Sequence, residues 1–316
     1  MTHIPVLIKE VLDGLHPMPN QNFIDATVGD GGHAGAILEK TSPNGKLIAV
    51  DRDPGSIISA KINLEYFGDR VLFINNSFGN LLEIYEKNKI GKINGILFDF
   101  GMSSSQLENS GRGFSFAKDE ILDMRFDVKN PVTAEYIVNK YGEAELAEIF
   151  KKWGEEKKSR QIARAINEAR KLKRIKTTME LVKIIESVKK RFGRIHPATL
   201  IFQSLRIEVN QELAEIKHAL EAVPQIISNG GLAAFISFHS LEDRLIKNWS
   251  RNLDKQGIIK ILNNSDAHWD RSPDQKRRGK PIKASLEEIR MNPRSRSAKL
   301  RIVVSLREIS RMEKKI

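Results

Sequence analysis

The stretch DATVGDGGHAG, residues 25–35, combines four glycines with two aspartates. Gly29, Gly31 and Ala34 match the pattern G-x-G-x-x-A, in which glycines make a tight turn and let a ligand approach the backbone closely. Asp51 follows Gly29 by 22 positions, where a carboxylate can accept hydrogen bonds from the hydroxyls of a ribose. The spacing therefore predicts that a nucleoside cofactor binds at this turn.

The acids beside the glycine turn help to decide between nucleoside cofactors. NAD, FAD and S-adenosylmethionine are all bound at turns of this kind, but a pyrophosphate is doubly anionic and favours a turn without negative charge. Asp25 precedes the turn and Asp30 lies within it, so they would repel a pyrophosphate and attract a cationic sulfonium and an amino group. The turn therefore favours S-adenosylmethionine, with a nicotinamide-dependent oxidoreductase as the rival interpretation.

The glycine turn lies in a region where strand patterns alternate with helical patterns. This alternation is typical of a parallel sheet that is covered by helices on both faces. We predict strands at residues 22–28, 46–54, 70–78 and 93–101, with helices at about 34–39, 56–66 and 81–87. Two later strands are predicted at 231–239 and 298–307, and the last is compatible with the antiparallel hairpin that ends methyltransferase sheets.

The middle of the chain has a different pattern. No strand is predicted between about residues 113 and 223, where apolar residues recur at helical spacing. A capping box of Thr177 and Glu180 predicts the start of one helix, and a pattern from Pro197 could stay helical for over twenty residues.

These patterns divide the chain into two parts. We predict a doubly wound α/β domain formed by residues 1–112 and 211–316, and a helical insertion formed by residues 113–210.

Composition excludes several classes of site. The chain has 316 residues, of which 40% are apolar and 29% charged, as in an ordinary soluble protein. No apolar run approaches the roughly 18 residues of a membrane span and no signal peptide precedes the first strand, so we expect a cytoplasmic protein without membrane contact. Cysteine is absent, which excludes disulfides, thiolate zinc sites and a cysteine nucleophile. We predict no metal site.

The net charge of +12 favours a polyanionic partner. Sixteen Lys or Arg residues lie between Lys151 and Arg194 and are opposed by five glutamates, and a second basic run covers residues 271–283. A basic helix surface is often only a solvated face. The charge distribution alone leaves that interpretation and nucleic-acid binding open.

Longer motifs that are more specific than a glycine turn occur along the chain. In order, they are HIPVLIKEVLDGL, FIDATVGDGGHAGAIL, IAVDRDP, FDFGMSSSQLE, GRGFSF, LDMRFD, HPATLIFQSLRIEVNQEL, ISFHSLEDRLIK and NPRSRSAKLR. In these motifs the chain closely resembles the RsmH (MraW) family of bacterial 16S ribosomal RNA cytosine-N4 methyltransferases. The resemblance runs from residue 3 to beyond residue 300.

The resemblance implies a fold, a reaction and a partner. The fold would be an α/β class I (Rossmann-like) S-adenosylmethionine-dependent methyltransferase domain with an inserted helical substrate domain. The enzyme would use S-adenosylmethionine to methylate the N4 amine of a cytidine in 16S rRNA, within the assembled small subunit, as a monomer or homodimer. An RNA-binding protein that retains an inactive methyltransferase fold is the second rival, and the intact cofactor positions argue against it.

The resemblance also implies which residues bind the cofactor. The turn amides would approach the methionine moiety, Asp51 would hold the ribose, and Phe78 would cover a face of the adenine. The full set carried over from the family is Gly31, Gly32, His33, Asp51, Phe78, Asp99 and Gln106. No catalytic residue is assigned, because the fourth strand ends in DFGMSSSQ rather than the Asp-Pro-Pro-Tyr of many DNA amino-methyltransferases.

The remaining candidates have simpler interpretations. His239, Glu242 and Asp243 could suggest a metal site or a triad, but we expect Ser240 and Glu242 to begin and stabilise a helix. His196, just before Pro197, could be structural or could face RNA. Three aromatic residues at helical spacing are expected in the core: Phe150, Trp153 and Trp249.

Overall fold

A computed structural model describes residues 5–102, 106, 110–191, 196–262 and 279–306. The chain forms two compact units, of which unit 1 is Met1–Gly101 with Leu213–Ile316 and unit 2 is Met102–Glu212. Unit 2 thus begins earlier than the predicted insertion, because Met102 already packs against the core of that unit. Most of the second basic run, residues 271–278, lies outside the described residues. None of the described helices is both long and apolar enough to cross a bilayer.

Unit 1 is built on one mixed sheet, in which eight strands are found among the described residues. The order across the sheet is β3-β2-β1-β4-β5-β8-β6, and β7 pairs with β8. The first five strands in this order are parallel, while β8 is antiparallel to β5 and to β6. The strands are β1 Asn22–Asp25, β2 Leu47–Asp51, β3 Val71–Asn75, β4 Ile93–Asp99, β5 Ile227–Ser237, β6 Ile259–Leu262, β7 Ile282–Lys283 and β8 Lys299–Ser305. The predicted parallel sheet with an antiparallel last strand is confirmed.

Twelve α-helices occur in the described residues. Seven contribute to unit 1, namely α1 Ile8–Leu15, α2 Gly32–Lys40, α3 Pro54–Asn63, α4 Leu81–Lys87, α10 Glu212–Ile226, α11 Ser240–Lys255 and α12 Leu286–Met291. Five belong to unit 2, namely α5 Ala134–Lys140, α6 Glu143–Lys152, α7 Ser159–Leu172, α8 Thr178–Val188 and α9 Thr199–Asn210. The second segment of unit 1 begins at Leu213, the second residue of α10, whose first residue Glu212 is the last residue of unit 2.

The sheet of unit 1 is buried on both faces. Side chains alternate between the faces along a strand, so that Phe23 and Ile24 of β1 belong to different cores. Ile24 packs in the core that is covered by α4, α10 and α11, and Phe23 packs in the core that is covered by α1, α2 and α3. This double burial explains why the parallel strands have apolar runs rather than an alternating pattern.

The described residues of unit 2 share one core, formed by its helices and by buried side chains of the segment at residues 114–126. The predicted capping box is confirmed, because Thr177 accepts from the backbone N of Glu180 and the Glu180 side chain caps the backbone of Thr177. The bridge between Ile121 and Thr177 is isolated, and the unit has no named strand among its described residues. Its helical character agrees with the sequence pattern.

The long helix predicted from Pro197 is divided in two. Gln211 ends α9 with a φ of 50°, a left-handed conformation that does not continue a helix. Its neighbour Asn210 is buried and donates from Nδ2 to the carbonyl of Met124 over 2.7 Å, while its Oδ1 accepts from the backbone N of Phe126 over 2.9 Å. These contacts hold the end of α9 within unit 2.

The aromatic residues expected in the core are confirmed there. Phe150 is fully buried in unit 2, and Trp153 packs beside it with Nε1 donating to Glu208 over 2.7 Å. Trp249 packs in unit 1 with its ring 5.5 Å from the ring of Phe235.

Candidate functional site

Three parallel strands of unit 1 end in an aspartate. Asp25, Asp51 and Asp99 close β1, β2 and β4, whose carboxyl ends lie at one edge of the sheet. The chain runs outward from β1 through β2 to β3 on one side and continues at β4 on the other. The strand order therefore reverses between β1 and β4, and such a reversal is where open α/β sheets bind ligands.

Asp25 is the most buried of these acids, with 1% of its surface exposed. Its Oδ1 accepts from the backbone N of Thr27 over 3.2 Å. Burial raises the pKa of its carboxyl to about 7, and the nearby charges of Asp99 and Asp51 add to this, although the bond from Thr27 lowers it. A carboxyl that is partly protonated at neutral pH therefore lies at the point where the strand order reverses.

Asp51 connects the end of β2 to the glycine turn. Its Oδ2 accepts from the backbone N of Gly29 over 3.0 Å, and its Oδ1 accepts from the backbone N of Asp53 over 2.9 Å. Burial raises the pKa of Asp51 to about 6 despite these two hydrogen bonds. Each carboxylate oxygen has a second lone pair, so Asp51 can still accept hydrogen bonds from a ligand while it holds the turn.

The glycine turn has the backbone that its sequence predicts. Gly29 and Gly31 have φ values of 51° and 88°, and Gly31 caps α2. A Cβ atom on Gly31 would lie 3.1 Å from the Leu64 side chain. One on Gly32 would lie 2.4 Å from the ring of Pro5, so that glycine is needed for the close approach of the N-terminal segment. Packing within unit 1 alone thus accounts for both residues, and their contact with a cofactor stays a prediction.

His33 lies in the first turn of α2 and is buried. Its Nε2 is 2.9 Å from the carbonyl oxygen of Val6, so Nε2 carries the proton in this arrangement. Its Nδ1 is 3.8 Å from Oδ2 of Asp99. Asp99 is held in turn, because its Oδ1 accepts from the backbone N of Gly101 and its backbone N donates to Oγ1 of Thr27.

The two other predicted cofactor residues have different surroundings. Phe78 is nine-tenths buried and packs edge-on against the rings of Phe98 and Phe100, with the guanidinium of Arg52 6.0 Å from its centroid. Its ring is thus used largely in core packing. Gln106 is buried in unit 2, and its carbonyl accepts from Oγ of Ser110 over 2.6 Å.

Unit 1 therefore brings together most of the predicted cofactor set, whose members there are Gly31, Gly32, His33, Asp51, Phe78 and Asp99. Asp25 lies at the same edge of the sheet but is not a member of the predicted set, because the sequence pattern identified it only as a charge beside the turn. Its place as the last residue of a buried strand before the glycines was the signal that could have identified it.

The acids after β5 begin a helix, as expected, but the cap is His239 rather than Ser240. His239 Nδ1 accepts from the backbone N of Glu242 over 3.4 Å, and Oε2 of Glu242 accepts from the backbone N atoms of Phe238 and His239. Asp243 pairs with Arg301 of β8 over 2.8 Å. The start of α11 is thereby tied to the sheet.

His196 has structural contacts within unit 2. Its Nδ1 accepts from the backbone N of Ala198 over 3.2 Å, and its ring lies 4.7 Å from the ring of Phe116. Its Nε2 is 3.2 Å from Oε1 of Glu186. These contacts support the structural interpretation of His196.

Known proteins are similar to this chain along most of its length. The sequence model of the MraW methylase family matches residues 1–306. A "Ribosomal RNA small subunit methyltransferase H" of Dehalococcoides mccartyi is 43% identical over 302 residues, which are 95% of this chain and 85% of that protein. The protein of that name from Persephonella marina is 45% identical over 303 residues, with coverages of 95% and 98%. A crystal structure of an rRNA methylase from Streptococcus thermophilus aligns with a TM-score of 0.43 and 10% identity over 97% of this chain and 100% of its own.

Proposed function

The chain belongs to the MraW methylase family, and we propose that it transfers a methyl group from S-adenosylmethionine to the N4 amine of one cytidine in 16S rRNA. The name shared by its relatives supports ribosomal RNA of the small subunit as the substrate. The choice of cytosine N4 rests on the motif resemblance described above.

The main support for this proposal is the set of three aspartates at the edge where the parallel strands have their C-terminal ends. Asp25, Asp51 and Asp99 end neighbouring strands around the point where the strand order reverses. Such a concentration of negative charge suits a ligand with a sulfonium and an ammonium group, and it opposes a pyrophosphate. The residues present therefore fit S-adenosylmethionine and do not fit NAD.

Each residue at this edge has a role that suits its surroundings. Asp51 accepts hydrogen bonds from the ribose while its contact with Gly29 keeps the turn in place. Asp99, held by Gly101 and Thr27, accepts from polar cofactor atoms where β4 ends. Phe78 contributes to the apolar side of the adenine site, and the family resemblance implies a polar contact from Gln106.

S-adenosylmethionine, when bound, supplies an electrophilic methyl group on a cationic sulfur. The chain must hold the N4 nitrogen of the cytidine in line with that methyl group and accept hydrogen bonds from the amine protons, because the nitrogen lone pair is delocalised into the ring. The absence of cysteine excludes the covalent route by which C5 of cytosine is methylated. A stacked base cannot enter a site at the strand ends, so the cytidine must leave its stack at a cost of about a few kcal/mol.

The helical insertion, residues 113–210, supplies the RNA contacts in this proposal. A separate helical unit can recognise the shape of RNA around the target, so assembled small subunits should be better substrates than naked rRNA. We expect the reaction to take place in the cytoplasm. The proposal holds for a monomer or a homodimer.

The reaction is tested with purified protein, labelled S-adenosylmethionine and small subunits from a strain that lacks the endogenous activity. After digestion to nucleosides, we expect label in N4-methylcytidine. Label in 5-methylcytidine or in a 2′-O-methyl nucleoside, with none in N4-methylcytidine, would refute the assignment. Naked rRNA in a parallel reaction tests the preference for assembled subunits.

Calorimetry separates the rival interpretations. We expect binding of S-adenosylmethionine and none of NADH. Tight NADH binding without a response to S-adenosylmethionine would favour an oxidoreductase, and cofactor binding without methylation of any RNA would favour an RNA-binding protein with an inactive site.

A further inference from the structure

The basic residues of unit 2 fall into two classes according to their ion pairs. Four of the cations between residues 151 and 191 each contact a glutamate within 2.5–2.8 Å: Lys171 with Glu168, Lys173 with Glu180, Arg174 with Glu135, and Lys189 with Glu156. Their charge is largely balanced within the unit. A phosphate would gain little from approaching them.

A second group of cations lines a groove between α6 and the start of α7. Lys151, Lys152 and Arg160 are exposed there, and among the described residues none of them has an acidic partner within 4.0 Å. The groove has a volume of about 870 Å³. It therefore brings together three positive charges that make no ion pair with a described acid.

The lining of the same groove also includes two exposed acids, Glu143 and Glu148. Glu143 lies about two turns before the cations on α6 and Glu148 lies about one turn before them, with Ala144 and Ala147 between these two acids. The acids repel a polyanion, so only the basic end can receive one. The small alanine side chains leave room and carry no polar group that could distinguish bases.

The connection between α6 and α7 is held in place by a buried acid. Glu156 is 3% exposed, and it accepts from the backbone N of Lys158 over 2.9 Å and pairs with Nζ of Lys189. Lys152 lies over the ring of Trp153, at 4.2 Å from its centroid. These contacts fix the backbone and the Lys152 side chain beside the groove, which reduces the entropy lost when a ligand binds.

The start of α7 adds to the positive potential. Lys158 is the N-cap and makes no side-chain capping bond, so the first backbone N–H groups of this 14-residue helix lack a side-chain acceptor from the cap. Ser159, in the first turn, is buried and lines the groove. Together with Lys151, Lys152 and Arg160, this helix end favours an anion at the basic end.

We propose that the basic end of this groove, formed by Lys151, Lys152 and Arg160, binds the phosphodiester backbone of the RNA substrate. This inference rests on the proposed function for the identity of the RNA. The groove positions the strand without reading its sequence, because its donors suit phosphates and its remaining lining carries no base-specific pattern. The ion-paired cations of the same unit take no part.

The test compares two variants that each remove three positive charges. Lys151→Gln/Lys152→Gln/Arg160→Gln changes the groove, and Lys171→Gln/Lys173→Gln/Arg174→Gln changes the ion-paired class. Binding to a fluorescently labelled 16S rRNA fragment is measured between 50 and 200 mM salt. A plot of log K against log salt has a negative slope, and the loss of three phosphate contacts should make that slope shallower by about 2. The ratio of wild-type to groove-variant affinity should therefore fall roughly 20-fold between 50 and 200 mM salt.

The ion-paired variant should keep the wild-type slope. Equal changes of slope in both variants would overturn the proposal, because they would mean that only the net charge of the unit matters. An unchanged RNA slope in the groove variant, with weaker binding to whole small subunits, would mean that the groove takes an acidic protein segment, and would also overturn it. Circular dichroism and melting curves verify that both variants fold.

The proposal for the groove and the proposed reaction can fail independently of each other. If the wild type forms no N4-methylcytidine but the groove variant still lowers the RNA slope, the groove is supported and the proposed reaction fails. If the wild type methylates its substrate and the two variants have equal slopes, the reaction stands and the groove fails. S-adenosylmethionine should bind both variants with wild-type affinity.

Discussion

Binding of S-adenosylmethionine should release protons and strengthen as the pH rises. The pKa values of Asp25 and Asp51 are raised to about 7 and about 6 because the carboxyls are buried. A cationic ligand at this edge favours the ionised form of both, so the protonated fraction has to give up its proton when the ligand binds. Raised carboxyl pKa values therefore give an affinity that increases with pH.

The size of the effect follows from the two pKa values. If only ionised Asp25 supports binding, a pKa of about 7 makes the dissociation constant about tenfold larger at pH 6 than at pH 8. A pKa of about 6 for Asp51 adds a factor of about 2, which gives about 20-fold in all. At pH 7 the two groups together should release about 0.6 proton per ligand bound.

Calorimetry at pH 6, 7 and 8, in buffers of different ionisation enthalpy, measures both the affinity and the released protons. Asp25→Asn should reduce the 20-fold pH dependence to about twofold, because only Asp51 then titrates. Asp30→Asn is the matched control, since it neutralises the aspartate within the turn and should leave the pH dependence in place. A wild-type affinity that is equal at pH 6 and pH 8, or a tenfold dependence that survives in Asp25→Asn, would refute the reasoning.

Three further outcomes are expected. Asp51→Ala should weaken S-adenosylmethionine binding by roughly 1–3 kcal/mol, as measured by calorimetry, because a charged hydrogen-bond acceptor is lost; wild-type affinity would remove Asp51 from the site. Gly31→Ala should lower the free energy of unfolding in urea by about 1–2 kcal/mol, because its φ of 88° is left-handed and the new Cβ would press on Leu64; an unchanged value would contradict this. The raised pKa of Asp25 should make the ligand-free protein less stable at higher pH, with its contribution falling by about 3 kcal/mol between pH 5 and pH 8. Urea unfolding of Asp25→Asn should lack that part of the decline, and an identical decline in both proteins would exclude Asp25 as its source.

Local patterns in the sequence were sufficient to predict the strands and the glycine turn near the site. The apolar runs of β1, β2 and β4 mark strands that are buried on both faces, and such strands are parallel and joined by helices. Since the carboxyl ends of parallel strands share an edge, Asp51 and Asp99 could be placed at one edge from their positions alone. The positive φ of Gly29 and Gly31 follows from residue type, because glycine adopts such values without strain.

Other features depend on contacts between residues that are distant in the sequence. The helical pattern from Pro197 gives no sign of the break at Gln211, because the contacts of Asn210 with residues over 80 positions away fix where α9 ends. Which cations of unit 2 are balanced depends on partners such as Glu135, 39 positions from Arg174. The titration of Asp25 likewise depends on its burial between β2 and β4, since it is desolvation, and not residue type, that raises a carboxyl pKa to about 7. Residue types and their spacing determined the chemistry that this chain can carry, and tertiary packing decided which of those groups are buried, paired or left charged.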